Sequence, residues 1–135
     1  GLIADSGGAG RTRGGLGIAK QIRALVPGIV FSARSDSHTV GVPAGVNGGL
    51  DGRQARLLRN PGTPREQTLY SKTANIELAA GESVRIETPG GGGYGSPLER
   101  ASERLLDDLR DGVVTSAAAG LYEKSSSPSK IASHD

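Results

Sequence analysis

The sequence has no cysteine, methionine or tryptophan, and aromatic side chains make up only 3% of its 135 residues. Without cysteine there is no disulfide framework, no thiolate zinc site and no cysteine nucleophile. With few aromatic side chains and 35% apolar residues, a dense aromatic core is excluded. No apolar run approaches the length of about 18 residues that a membrane span needs, and no signal-peptide pattern opens the chain. The expected location is therefore cytoplasmic, with no membrane partner.

The net charge of +2 is the sum of two halves with opposite sign. Residues 1–70 carry nine basic and four acidic side chains, whereas residues 71–135 carry seven basic and ten acidic ones. The basic half suits a phosphate group or an acidic partner. Nucleic-acid binding is not indicated, because the arginines are scattered and no aromatic side chains are interleaved with them for base stacking.

Glycine is abundant, with 22 residues, more than twice the usual share of about 7%. Residues 5–17 contain six glycines, so neither a regular helix nor a regular strand is predicted there. Residues 35–52 are predicted to be a second irregular connection, of a length that is often functional. A third glycine stretch, at residues 90–95, separates a predicted strand from a predicted helix.

Short apolar runs between these stretches predict four or five strands. Residues 18–25 and 29–31, joined by a Val-Pro-Gly turn, are interpreted as a β-hairpin, with a short helix over 18–25 as the alternative. Residues 53–59 predict a strand that ends at an Asn-Pro-Gly turn. Residues 75–78 and 83–88 predict another hairpin around an Ala-Ala-Gly-Glu turn.

A C-terminal amphipathic helix is predicted over about residues 97–111. Ser96 suits the N-cap, Pro97 the first helical position and Glu99 the third, which together form a capping box. Apolar residues follow at spacings of three and four, and the glycine after them suits a left-handed C-terminal cap; they are Leu98, Ala101, Leu105, Leu109 and then Gly112. A second short helix is expected over 116–123, whereas residues 125–135 have little apolar content and are expected to be flexible.

The predicted fold class is therefore α+β and β-rich, with several short strands and hairpins, glycine-rich loops and one amphipathic helix. Residues 1–124 are taken as one region, followed by the tail. A chain this poor in large side chains is expected to need partners that cover its aliphatic faces.

Two features favour an anion site. Successive backbone N–H groups in a glycine loop can form an anion-binding nest, and two arginines beside such a loop can clamp a carboxylate or phosphate. The alternatives are tight backbone packing of the glycines, solvated surface arginines, and an aspartate that bonds its own turn. The candidate binding residues are Asp5, Arg11, Arg13, Gly91, Gly92 and Tyr94.

No catalytic residue and no metal site emerge from the sequence. His38 and His134 are far apart, and no carboxylate cluster shows metal-ligand spacing. Neither a Walker A nor a dinucleotide-binding glycine pattern is present.

The order of six motifs resembles the C-terminal part of the hydantoinase B family. This family includes subunits of N-methylhydantoinases, 5-oxoprolinases and the acetone and acetophenone carboxylases. The motifs are DSGGAGRTRGGLGI at 5–18, SARSD at 32–36, PAGVNGG at 43–49, LLRNPG at 57–62, SK at 71–72 and RIETPGGGGYGSPLER at 85–100.

The resemblance implies a part of an ATP-dependent cyclic amide hydrolase or ketone carboxylase. Its implied partners are a hydantoinase A-like subunit, which binds ATP and Mg²⁺, and the remainder of a hydantoinase B-like subunit. No cofactor is expected on this chain, and alone it is expected to be inactive. A non-catalytic scaffold subunit that stabilises such a complex is the alternative.

Overall fold

Short β-strands provide most of the regular structure, as the computed structural model shows for residues 1–35 and 41–123. The β-rich α+β class predicted from the sequence is confirmed. Two 3-10 turns, Pro97–Glu99 and Gly120–Tyr122, accompany the other elements. The strands and α-helices are β1 (Ala19–Arg23), β2 (Ile29–Arg34), β3 (Arg56–Arg59), β4 (Gln67–Thr68), β5 (Lys72–Leu78), β6 (Ser83–Glu87), α1 (Ser102–Arg110) and α2 (Ser116–Ala119).

The described strands form two antiparallel sheets, one with the order β1-β6-β3-β4 and one with β2-β5. The chain passes from one sheet to the other four times: between β1 and β2, between β2 and β3, between β4 and β5, and between β5 and β6. The first and the last of these crossings lie side by side, because Ala24 donates to the Glu82 carbonyl at 2.9 Å and accepts from the Gly81 amide at 2.8 Å.

Both predicted hairpins are wrong in their pairing, although strands form at both places. β1 pairs with β6 and β2 pairs with β5, whereas the predicted hairpins required β1 to pair with β2 and β5 to pair with β6. Gly28 and Gly81 do adopt the positive φ angles of turns, 82° and 88°. The turn residues therefore mark a change of direction, but here the new direction leads into the other sheet. The helical alternative over 18–25 is also wrong, since β1 occupies it.

An aliphatic core joins the two sheets. Leu57 and Val84 are almost fully buried, and Leu78 of the second sheet packs in the same cluster. Phe31 and Ile76, which are partly buried, complete its second-sheet side. Burial of such side chains contributes about 25 cal/mol per Å² of apolar surface, so this cluster is the hydrophobic centre of the sheets.

A second structural centre, which we call the glycine bundle, consists of residues 6–15, 43–53 and 90–95. Each of the three segments bonds to the other two through its backbone. The Gly91 carbonyl accepts from the Gly8 amide at 2.8 Å, and the Gly93 amide donates to the Leu50 carbonyl at 2.8 Å. Described residues of 5–17 and 41–52 form no named strand or helix, as predicted.

Glycine is required in this bundle because the segments approach one another too closely for a side chain. A Cβ atom on Gly92 would overlap the backbone carbonyl of Ala44, and one on Gly90 would overlap that of Ser6. Neighbouring carbonyl groups thus occupy the space that side chains fill elsewhere.

The predicted helix over 97–111 is interrupted. A 3-10 turn at Pro97–Glu99 is followed by extended backbone at Arg100, with φ −65° and ψ 133°, before α1 begins at Ser102. Ser96 caps the 3-10 turn rather than α1, since its hydroxyl accepts from the Leu98 amide at 3.3 Å, and the reciprocal Glu99 side-chain bond of a capping box does not occur in the described structure. The predicted C-terminal glycine cap is present, with a φ of 71° at Gly112.

The buried face of this segment also differs from the prediction. Leu98 is exposed and Leu105 and Leu109 are only partly buried, whereas the charged Asp108 is buried. The ion pairs of Asp108 thus position the helix together with Leu105 and Leu109, which pack against the buried side chains of Ala9, Val114 and Tyr122. The predicted second helix appears as α2 followed by the 3-10 turn Gly120–Tyr122. The predicted flexible tail, 125–135, lies outside the described residues, as do His38 and His134.

Candidate functional site

Three polar side chains meet on one surface of the glycine bundle, which we call the Tyr94 face. The Arg11 guanidinium lies 5.7 Å from the centroid of the Tyr94 ring, within the range of a cation–π contact. The Tyr94 hydroxyl accepts a hydrogen bond from the Asn47 side-chain amide at 2.9 Å. Arg11 and Tyr94 are exposed, and no ion-pair partner of Arg11 occurs in the described part of the chain. The face therefore presents one uncompensated positive charge.

Backbone contacts between separate segments build this face. Thr12 and Tyr94 exchange hydrogen bonds, with N···O distances of 3.0 and 2.9 Å, and the Arg11 amide donates to the Gly95 carbonyl at 3.2 Å. Asn47 adopts a φ of 50°, a left-handed conformation that asparagine favours more than most residues. Sequence reasoning missed Asn47, because an Asn-Gly pair predicts a turn but not which distant side chain the turn will face.

Asp5 and Arg13 occupy different positions from Arg11. The Asp5 carboxylate accepts from both the amide and the hydroxyl of Thr115, at 2.8 and 2.7 Å. The Arg13 guanidinium donates to both carboxylate oxygens of Asp108, at 3.2 and 3.3 Å, and to the Gly14 carbonyl at 2.8 Å. These two candidates connect the first glycine loop to the C-terminal helices: the Arg13 side chain is largely buried, whereas Asp5 is exposed but bonded to Thr115.

Gly91 and Gly92 lie in the middle of the glycine bundle. The Gly91 amide donates to the Gly15 carbonyl at 2.8 Å, and the amides of Gly90 and Gly93 are likewise bonded to neighbouring segments. These N–H groups therefore hold backbone to backbone. The anion-site hypothesis for the six candidate residues stays a prediction, and its most accessible members are Arg11 and Tyr94.

Three buried carboxylates, each surrounded by arginines, were not singled out from the sequence. Asp108 accepts from Arg100 at 2.7 Å as well as from Arg13, and both guanidinium groups are largely buried. Glu82 and Glu87 anchor the other two clusters. All but one of their arginines come from distant parts of the chain, so no local sequence pattern identifies the clusters; the exception is Arg85, two residues before Glu87. The arginines are Arg59 and Arg65 at Glu82, and Arg53, Arg56 and Arg85 at Glu87.

The clusters at Glu82 and Glu87 keep their carboxylates ionised. Hydrogen bonds from Arg59, Asn60 and the Ala79 amide lower the pKa of Glu82 to about 2. The Arg56 guanidinium, at 2.8 Å, lowers the pKa of Glu87 below its ordinary value. A carboxylate with a pKa far below neutrality exchanges protons poorly at pH 7. Glu82 and Glu87 are therefore suited to structural support rather than to general acid–base chemistry.

Two further observations concern the described residues only. Within 1–35 and 41–123, no group of three histidine, cysteine, aspartate or glutamate side chains is arranged to hold a metal ion. Among the helices in these same ranges, none combines the length and apolar character required to cross a bilayer.

Comparison with known proteins decides the family. The sequence model described as Hydantoinase B/oxoprolinase matches residues 1–97, which is most of the chain. The chain belongs to this hydantoinase B/oxoprolinase family. It is 40% identical to 5-oxoprolinase 1 of Arabidopsis thaliana over 100 residues, which cover 73% of this chain and 8% of that protein. The chain spans about a fifth or less of the length of the curated relatives it matches.

Solved structures agree with the hydantoinase B assignment. The crystal structure of the ATP-dependent caprolactamase from Pseudomonas jessenii matches with a TM-score of 0.70 and 28% identity, over 90% of this chain and 22% of that one. The nucleotide-free structure of acetone carboxylase matches with a TM-score of 0.69 and 19% identity, over 90% and 20% of the two chains. The second likeness shows a shared fold.

Proposed function

We propose that this chain is part of the B-type component of an ATP-dependent enzyme that opens cyclic amides, as hydantoinases, oxoprolinases and caprolactamase do. In this proposal an A-type subunit binds ATP and Mg²⁺ and activates the substrate, and the B-type component takes part in the hydrolysis. The observation that supports it is the likeness to caprolactamase, which extends over 90% of the chain with 28% identity. The proposed location is the cytoplasm.

Within that assembly the Tyr94 face receives an anionic or phosphorylated intermediate. Arg11 supplies a positive charge, and Tyr94 and Asn47 supply hydrogen-bonding groups beside it. A guanidinium group can donate two parallel hydrogen bonds to a carboxylate or phosphate. Asp5, Arg13 and Gly91 are assigned a positioning role, since their polar groups bond within the chain. Gly92 is assigned the same role because it packs directly against the Ala44 carbonyl.

Two rival readings remain distinct from this proposal. Ketone carboxylation is the second candidate activity, and the fold shared with acetone carboxylase favours it. A non-catalytic scaffold is the second candidate role, favoured by the inward-directed polar groups of the glycine bundle.

The test uses the assembled enzyme with its A-type subunit. Hydrolytic ring opening and bicarbonate fixation are each measured with and without ATP, which separates the two activities. Arg11→Ala is expected to lower kcat/KM by about tenfold or more while the complex still assembles. Arg110→Ala is the matched control, because Arg110 is exposed on α1 and pairs only with the exposed Asp107 at 3.4 Å in the described structure.

Unchanged turnover and ATP dependence in both Arg11→Ala and Arg13→Ala would contradict the role of this face. If Tyr94-face variants lower the yield of the complex but leave turnover per complex unchanged, the scaffold role is the correct one.

A further inference from the structure

An exposed apolar patch covers the crossing from β1 to β2. We call its five large aliphatic side chains the bend patch, and they all lie within nine consecutive residues. Single exposed aliphatic residues are common on protein surfaces, but a contiguous group of this kind marks an interaction site. The exposed fractions are 45% for Ile22, 83% for Leu25, 56% for Val26, 43% for Ile29 and 60% for Val30.

The bend patch is a shaped surface rather than a flat one. Its side chains surround a depression of about 350 Å³, and the floor of that depression is formed by Ala24, Leu78 and Val84 of the aliphatic core. Arg23 is the only charged residue among those that line it. A partner side chain entering this depression would contact the core of the sheets directly.

The strands beneath the bend patch also lack cover. Four of the five residues of β1 are exposed, as are four of the six residues of β2. The apolar residues among these exposed positions are Ile22, Ile29 and Val30, all of them members of the bend patch. An apolar partner on the patch would therefore also cover the apolar part of both strands.

The length of the relatives indicates which partner this is. The matched region amounts to 18% of a bacterial relative, 19% of an archaeal relative and 22% of the caprolactamase chain. We propose that the bend patch binds the part of a hydantoinase B-type subunit that lies outside the region matched by this chain. This inference rests on the proposed membership in a B-type component. The occupant presents an apolar side chain to the depression and an acidic group to Arg23.

The experiment must also distinguish two other possible occupants of the bend patch: residues 124–135 and a second copy of the chain. Residues 124–135 contain a single large aliphatic residue, Ile131, and so offer little apolar surface to cover five side chains. A second copy of the chain would bring one bend patch against another. Either arrangement would form without any B-type partner.

The experiment co-expresses this chain, carrying a tag, with the remaining segment of the B-type subunit from the same organism as a separate polypeptide. The amount of that segment recovered per tagged chain is measured by quantitative mass spectrometry. Leu25→Asp and Val26→Asp are each expected to lower it by about tenfold or more, because a buried carboxylate replaces an apolar contact. Leu106→Asp is the control, since Leu106 is 59% exposed on α1 and lies outside the patch.

Folding of the variants is checked on the isolated chain. Leu25 is 83% exposed, so Leu25→Asp is expected to leave the thermal midpoint of the isolated chain unchanged. The proposal is overturned if the segment is recovered equally with the patch variants, or is not recovered with the unsubstituted chain. It is also overturned if sedimentation shows that the patch variants abolish only self-association of the chain. A further contrary result is recovery of the B-type segment only after deletion of residues 124–135, because these residues would then occupy the patch.

The outcomes separate this inference from the proposed function. A complex that forms through the bend patch but hydrolyses no cyclic amide supports the docking surface and contradicts the activity. An active assembly that tolerates Leu25→Asp supports the activity and contradicts the docking surface.

Discussion

In the sheets, Leu57 and Val84 fill the space between strands, whereas in the glycine bundle neighbouring carbonyl groups fill the space between segments. The core of the sheets gains its stability from apolar surface removed from water. The glycine bundle gains its stability from backbone hydrogen bonds, each with a net contribution of about 1 kcal/mol, made possible by close approach. The stability of the sheets therefore depends on large apolar side chains, whereas the stability of the glycine bundle depends on the absence of side chains.

The largest expected effect comes from adding one methyl group to the glycine bundle. Gly92→Ala is expected to destabilise the chain by more than about 4 kcal/mol, because the new Cβ would overlap the rigid carbonyl of Ala44. Urea unfolding followed by circular dichroism measures the change. Gly15→Ala is the control, since a Cβ at Gly15 meets nothing within 4 Å. Equal losses in the two variants would remove the basis of the comparison.

Removing apolar groups from the aliphatic core has the next largest expected effect. Leu57→Ala is expected to cost about 3 kcal/mol, from lost transfer free energy and the cavity left behind. The exposed Leu106 provides the matched substitution, and Leu106→Ala is expected to change the free energy of unfolding by less than about 0.5 kcal/mol. The urea midpoint of each variant measures the difference. A small effect at Leu57 would mean that the sheets do not rely on their core.

The contact between the glycine bundle and the helices differs from both regions, because it includes ion pairs. Asp108→Asn removes the negative charge shared by Arg13 and Arg100 while keeping the size of the side chain. The expected loss is about 2 kcal/mol, as for hydrogen bonds to charged groups in partly buried sites. Hydrogen exchange is expected to increase in α1 and less in β3 and β6. Asp107→Asn, on the exposed face of the same helix, is expected to have little effect.

The smallest predicted effect is an acid dependence that arises in the sheets. The folded pKa of Glu82 is about 2, below its ordinary value of 4.5, so the unfolded chain binds a proton more readily. The stabilisation is therefore complete above pH 4.5 and is lost as the pH falls toward 2. Glu82→Gln is expected to flatten this part of the stability profile, and Glu103→Gln, on the exposed surface of α1, is expected to leave it unchanged. Identical acid profiles for both variants and the unsubstituted chain would contradict this assignment.

Sequence reasoning located the strands better than it paired them. Apolar runs and the turn glycines Gly28 and Gly81 locate β1 and β6 and the ends of β2 and β5 next to the turns, since those signals are local. The far ends were missed, because β2 continues to Arg34 and β5 already begins at Lys72. Pairing is a long-range property: Ile22 lies opposite Val84, and Phe31 lies opposite Ile76. A glycine turn looks the same whether the chain turns back on itself or crosses to another sheet.

The candidate site shows the same division. The motif order identified the family, and the glycine loops drew attention to Arg11, Arg13 and Tyr94. The buried Asp108 was not singled out, because helical periodicity does not register an ion pair with a residue 95 positions away. Tight packing of the glycines was one reading of the 90–95 run, but which carbonyls they would meet depends on three separate segments.

The glycine bundle also affects how the stability of this chain depends on temperature. Hydration of aliphatic groups raises the heat capacity of the unfolded state, whereas hydration of peptide groups lowers it. Unfolding the glycine bundle exposes mainly peptide groups, so this region adds little to the heat-capacity change. Stability as a function of temperature is therefore expected to be flatter than for an aliphatic domain of equal length. On cooling, the sheets lose hydrophobic stabilisation while the bundle retains its strength.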